Sequence, residues 1–341
     1  MRKVIKYLPL ICGVSGNELL KEEADFIKNY NPWGIILFAR NCTSRSQLKE
    51  LIEHLKILTH KDIPIMIDQE GGRIHRLKYS DEYILYPASL FGRIYETNKT
   101  DALEALNLQC KIIANELNEL GINVNTSPVL DIPSGEESGV IGDRSFSNNR
   151  EIATILGKES INSFISMGIN PVIKHIPGHG RAQVDSHFEL PVVDTKYDEL
   201  VEIDFYPFQA CNFSNLAMTA HIIFSNIDPE HPVTISNKII SSIIRKLIKF
   251  EGLLMTDDIS MKALKGDIDK LSLAALDAGC DLILHCNGDL SEMNTIAETL
   301  KSNMREIELP SHIILERDKN IEFDLQESKA RLQNIVSKFV N

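Results

Sequence analysis

Eight short, β-branched and apolar runs recur along this chain, each separated from the next by a longer amphipathic stretch. They are 5–14, 34–38, 63–68, 122–130, 171–175, 216–221, 252–257 and 281–285. None alternates polar with apolar, so each reads as a strand of a parallel sheet buried on both faces. The stretches at 17–30, 44–60, 100–120, 149–168, 196–213, 236–249, 266–279 and 289–303 read as helices. Ser44 and Ser236 stand where N-caps belong, and Gly121 and Gly252 where a helix ends. Eight β-then-α units with right-handed crossovers close naturally into a (β/α)₈ barrel, the TIM-barrel form of the α/β class. No Gly/Ser- or Pro-rich linker interrupts the pattern, which predicts one domain over 1–341. The barrel is expected over about 4–304, followed by an extension at 305–341 with one helix near 324–339 packed on it.

Composition narrows what such a barrel does. At 341 residues, 43% hydrophobic and 25% charged, the chain can bury a large core. Its net charge of −12, without any basic stripe, argues against nucleic acid as the main partner. No apolar run approaches the roughly 20 residues of a membrane span. The six cysteines are scattered with no C-x-x-C pair, which is how a reduced cytosolic enzyme uses cysteine. Met1-Arg2-Lys3 and the apolar residues up to Cys12 resemble a signal or lipoprotein signal. However, Lys6 and Pro9 break the apolar stretch and Ile11 is not the small residue a cleavage site needs, so the segment reads as the first strand and the location as cytoplasmic.

In such barrels chemistry sits at the C-terminal ends of the strands, and here apolar strands end abruptly in charge at that edge. Strand 3 runs into Asp68-Gln-Glu-Gly-Gly-Arg73-Ile-His-Arg76, and strand 4 into Asp131 and then Asp143-Arg144. Strand 5 ends in Lys174-His175, strand 6 in His221, strand 7 in Asp257-Asp258 and strand 8 in His285.

The stretch from Lys174 to Pro191 carries three further functional-looking side chains, His179, Asp185 and His187. His175 and His179 have the spacing of a helical zinc pair, but Pro177, Gly178 and Gly180 preclude a helix there and no H-x-H ends strand 1, so no metal site is expected. Asp185 beside His187 can orient the imidazole and raise its pKa, making a general acid/base near neutral pH; a lone loop histidine is otherwise a solvated side chain. Strand alternation sends only one of Asp257 and Asp258 into the barrel mouth. A carboxylate there can be a nucleophile, a base, a ligand or a rim charge; paired with a proton donor it suits glycoside cleavage. Asp68, Arg76, Arg144 and Lys174 supply the dense polar contacts that a hydroxylated ligand needs, and Gly71-Gly72 lets the chain turn just after Asp68.

Asp68-Gln-Glu-Gly-Gly-Arg, Lys174-His-Ile-Pro-Gly-His-Gly, Asp185-Ser-His187 and Thr256-Asp-Asp-Ile-Ser-Met261 together resemble glycoside hydrolase family 3 over about residues 5–300. More narrowly they are similar to its bacterial β-N-acetylglucosaminidases of peptidoglycan recycling. The resemblance implies a retaining mechanism with Asp257 as nucleophile and His187, coupled to Asp185, as acid and then base. It implies that Asp68, Arg76, Arg144, Lys174 and His175 bind the N-acetylglucosamine, and that the glycine-rich loop moves to bring His187 to the glycosidic oxygen. The implied substrate is a muropeptide-type disaccharide, N-acetylglucosaminyl-β-1,4-anhydro-N-acetylmuramic acid, taken by a monomer without cofactor or metal. Three other readings remain: a phosphorylase, since imidazole does not repel phosphate; a substrate-assisted hexosaminidase using Asp257-Asp258; and a non-catalytic amino-sugar sensor.

Overall fold

Apolar residues on both sides of each short run leave a strand no wet face, and the sheet answers by closing on itself. The computed structural model describes residues 6–59, 63–79, 84–135, 140–184, 186, 189–303, 305, 307–308 and 322–340. Eight strands form the barrel: β1 (Lys6–Gly13), β2 (Pro32–Leu37), β3 (Ile65–Ile67), β4 (Val124–Asn125), β5 (Asn170–Ile176), β6 (Leu216–Thr219), β7 (Leu253–Asp258) and β8 (Leu282–His285). All neighbours are parallel, and β8 pairs back onto β1 through Ile11 and Leu284, which completes the ring. This is the (β/α)₈ barrel.

Alternation along the strands sorts side chains into two cores. Ile11, Trp33, Met66, Val124, Val172, Leu216, Met218, Leu253, Met255 and Leu282 fill the barrel itself. Their outward neighbours, such as Leu10, Ile65, Ile173, Ala217, Leu254 and Ile283, join the larger core beneath the helices. Filling the axis with side chains makes the barrel a plug with a floor, so a ligand can enter only at the mouth.

The surrounding helices include α1 (Lys21–Tyr30), α2 (Arg45–Leu58), α3 (Ala88–Thr97), α4 (Lys99–Leu120) and α5 (Arg150–Ser166). Helical segments at 197–210 and 237–247, each with a π turn, then Ile268–Ala278 and Leu290–Ser302 complete the ring. Ser44 caps α2 by accepting from the Gln47 amide at 3.2 Å, a contact worth about 1 kcal/mol. Gly121 ends α4 at φ +88°. Leu325–Val336 forms a further helix that packs along α4 and buries Leu332, Ile335 and Val336. No helix among the described residues is long and apolar enough to cross a membrane.

Helix α3 fills a stretch to which the sequence pattern assigns no element. Three local expectations are corrected. The fourth strand ladder is only Val124–Asn125 rather than 122–130, because Pro128 has no amide to give; beyond it a single bridge joins Val129 to Lys174. Gly252 caps no helix: the 237–247 segment ends before Lys249, which itself takes φ +60°, and Gly252 is needed because a Cβ there would lie 2.4 Å from the Asn215 carbonyl. The C-terminal extension also supplies a two-residue strand, Ile307–Glu308, antiparallel to β1.

Candidate active site

Above the apolar layer of Met66, Val124, Val172 and Met255, the next inward position on each strand is polar: Asp68, Thr126, Lys174 and Asp257. The first three form one cluster. Lys174 Nζ donates to Asp68 Oδ1 at 3.3 Å and to Thr126 Oγ1 at 3.2 Å, and the Thr126 hydroxyl donates to Asp68. Arg76 Nη2 reaches Asp68 Oδ2 at 3.0 Å. Lys174 also contacts Glu70 Oε1 at 2.6 Å, and Glu70 receives both Nε and Nη2 of Arg144, at 2.9 and 2.8 Å. Arg76, Asp68, Lys174, Glu70 and Arg144 thus alternate in sign across the mouth.

This order sets protonation. Burial pushes the Asp68 carboxyl up, but Lys174 and then Arg76 outweigh it and hold the group well below the usual carboxylate range. Burial likewise opposes ionisation of Glu70, yet Arg144 and Lys174 hold it down to about 2. Both are charged acceptors at neutral pH. Gly71 and Gly72, at φ +107° and +56°, fold the chain back so that Asp68 and Arg76 meet; a Cβ on Gly71 would lie 2.5 Å from the Tyr86 carbonyl. Gln69 secures the return: its side-chain oxygen accepts from the Arg76 amide at 2.9 Å, while its backbone exchanges two bonds with the Asn125 side chain.

At the end of β5 the pairing register shifts between Lys174 and Ile176, which interrupts strict alternation. Lys174 faces the Asp68 cluster, and His175 turns to the fully buried Asp131, donating from Nδ1 to Oδ2 at 2.7 Å. The His179 amide donates to Asp131 Oδ1 at 2.6 Å, and its Nε2 lies 3.2 Å from Ser186 Oγ. Burial, reinforced by His175, lowers the His179 ring to about 4, so it stays neutral.

Asp257 follows Leu253 and Met255 on the inward face of β7. Burial opposes its ionisation, but His175, His221 and the Asp258 amide, which donates to Oδ1 at 2.8 Å, together bring its carboxyl below its ordinary value. An ionised, half-sheltered carboxylate at the barrel mouth is a competent nucleophile or ion-pair partner. Asp258 faces away and accepts from the Ser260 hydroxyl at 2.9 Å and the Cys286 amide at 3.1 Å. His221 bridges Thr234 Oγ1 at 2.6 Å and the Asp258 carbonyl at 3.0 Å, behind the strand end.

The structure therefore brings Asp68, Arg76, Arg144, Lys174, His175 and Asp257 to one mouth. Asp185 and His187 lie outside the described residues; Ser186 between them is buried and held by His179 and by the Ala263 amide, 3.2 Å from its carbonyl. His285 ends β8 on the outward face and binds Glu292 of the following helix at 2.8 Å, so it is not part of the cluster. The sequence pattern does not mark Glu70 or Thr126 as binding groups, although Glu70 sits within the Asp68 motif, and it marks Asp131 only as a strand end. Among the described residues no group of three or more His, Cys, Asp or Glu side chains is arranged to hold a metal ion. Two anionic acceptors, fixed cations and an inward carboxylate make a site for a neutral, hydroxyl-rich ligand.

Known proteins resemble this chain in sequence and in fold. Residues 5–315 match the glycosyl hydrolase family 3 N terminal domain. A β-hexosaminidase of Methylobacillus flagellatus is 34% identical over 283 residues, 82% of this chain and 80% of that protein. One from Haemophilus influenzae is 35% identical over 285 residues, 82% and 79% of the two chains. The crystal structure of NagZ from Neisseria gonorrhoeae superposes with a TM-score of 0.83 at 26% identity, over 98% of this chain and 99% of that one. The β-N-acetylglucosaminidase of Thermotoga maritima gives 0.74 at 26% identity, over 97% of this chain and 66% of that one.

Proposed function

The chain belongs to glycosyl hydrolase family 3 and is a glycoside hydrolase of the β-N-acetylhexosaminidase type, and from this premise we propose that it releases terminal N-acetylglucosamine from peptidoglycan fragments by a retaining mechanism. The substrate is N-acetylglucosaminyl-β-1,4-anhydro-N-acetylmuramic acid, bare or with its stem peptide. The enzyme works as a monomer in the cytoplasm.

The observation that carries this reading is the inward Asp257 carboxylate beside a polar cluster already charged and mutually oriented. The Asp68 carboxylate accepts sugar hydroxyls, while Lys174, Arg76 and Arg144 hold the acceptors in place and His175 adds a ring nitrogen. Asp257 attacks the anomeric carbon as His187, steered by Asp185, gives its proton to the departing glycosidic oxygen. His187, now neutral, takes a proton from water; the water oxygen attacks the same carbon and Asp257 leaves as carboxylate. An oxocarbenium-like transition state gains most from an ionised Asp257. Each proton and electron pair is accounted for by these side chains and water, so chelation leaves the rate unchanged.

The test is nitrophenol release from 4-nitrophenyl N-acetyl-β-glucosaminide, with EDTA and without phosphate, by wild type and Asp257→Asn. Turnover that survives EDTA and falls at least about 1,000-fold in the variant, roughly 4 kcal/mol of transition-state stabilisation, is expected. Turnover only with added phosphate would make it a phosphorylase. No turnover in either case, by folded protein that still binds the sugar, would leave a sensor.

A further inference from the structure

Asp131 has no part in the chemistry just described, yet its carboxylate faces three donors, two backbone amides and a histidine ring. It is fully buried beyond the end of β4. The His175 amide lies 3.2 and 3.3 Å from its two oxygens, the His175 ring Nδ1 2.7 Å from Oδ2, and the His179 amide 2.6 Å from Oδ1. A carboxylate can only accept, so every group facing it must present a proton. The two amides do so in any case. The ring has a choice, and Asp131 removes it: the proton goes on Nδ1, and Nε2 is left as the ring's working atom.

The same carboxylate reaches the loop beyond β5. It fixes the His179 backbone, and the His179 ring meets Ser186 Oγ at 3.2 Å. Ser186 stands between Asp185 and His187 in the sequence. We propose that Asp131 is a positioning residue that fixes the Nδ1–H form of His175, presenting Nε2 to the sugar beside Asp257, and ties the root of the acid/base loop to the same point. The inference rests on the glycosidase reading only for its kinetic consequence; the tautomer is independent of it.

Asp131→Asn separates the two. Its one remaining oxygen is claimed by the backbone amides, which cannot give up their protons, so the new NH₂ faces the His175 ring and drives its proton to Nε2. Long-range ¹H–¹⁵N spectra of the histidine rings, assigned by the signals lost in His175→Gln, read this directly. The expected result is a His175 proton on Nδ1 in wild type and on Nε2 in the folded variant, with kcat/KM on the nitrophenyl sugar lowered about tenfold or more. An unchanged tautomer in the folded variant, or a kinetic loss below tenfold, overturns the proposal. A wild-type His175 whose Nδ1 carries no proton overturns it even if Asp131→Asn does not fold. Wild type without turnover would instead refute the glycosidase reading, and the spectra would still decide the role of Asp131.

Discussion

Glu70 lies between Arg144 and Lys174, and replacing it with glutamine isolates the energetics of the buried charge cluster. Its side chain is 7% exposed, that of Lys174 3% and that of Arg144 13%. Glu70→Gln keeps the shape but turns one acceptor into a donor that must face a cation. Removing one partner of a buried ion pair costs about 3–5 kcal/mol. The protonation balance gives a similar figure: lowering the carboxyl from 4.5 to about 2 corresponds to roughly 3 kcal/mol at 1.36 kcal/mol per pH unit. The folded-state pKa is depressed, so this stability is complete above the unfolded value of 4.5 and is lost as pH falls towards 2. Urea unfolding of wild type and Glu70→Gln should therefore differ by about 3 kcal/mol at pH 7, or about 4 °C in Tm for a chain of 341 residues, with the gap closing as pH falls below 4.5. A difference under about 1 kcal/mol at pH 7, or one that persists undiminished in acid, would refute the reasoning.

Two further perturbations probe the loop and the C-terminal helix. At Gly180 an added Cβ would lie 1.9 Å from the Ile132 carbonyl, so Gly180→Ala must displace the loop that leads to Ser186. It is expected to cost about 1–3 kcal/mol in urea unfolding and to lower kcat/KM more than about tenfold; wild-type kinetics would show that this backbone contact is not what places the loop. Ile335 is fully buried against the outer core, on a helix that packs along α4 and supplies none of the site residues named above. Ile335→Ala should cost about 2–4 kcal/mol of unfolding free energy while leaving kcat/KM of the folded enzyme within about twofold. A selective loss of activity would imply that the helix acts on the site.

The eight strands were legible because a strand buried on both faces has nothing but apolar side chains, and Gly or charge stops it sharply. Alternation alone sends only one of Asp257 and Asp258 inward; that it is Asp257 follows from Leu253 and Met255 filling the barrel, which an all-apolar strand does not reveal. What escaped depends on contacts between distant segments. Helix α3 carries Gly92, a poor helix former; it is kept because a Cβ there would lie 1.7 Å from the Phe146 carbonyl, a constraint set by a loop far along the chain. Gly252 stands close after an apolar helical stretch, so only its approach to Asn215 distinguishes a packing glycine from a cap. His285 ends its strand as His175 does, but the parity of β8 turns it to Glu292. Glu70 and Asp131 were in view as acidic residues at strand ends; which cation or imidazole each one faces is decided by register between β3, β4 and β5, and no local spacing encodes that.

The most direct test of the account is whether Asp257 becomes covalently bonded to the sugar. A 5-fluoro-N-acetylglucosaminyl fluoride reacts fast and hydrolyses slowly, so intact-protein mass followed by peptide mapping catches the intermediate. The account predicts a single adduct of one fluorinated sugar on the peptide containing Asp257, absent in Asp257→Asn. Active enzyme that forms no adduct and is instead strongly inhibited by a cyclised thiazoline analogue would contradict it, because the N-acetyl group of the substrate would then be the nucleophile.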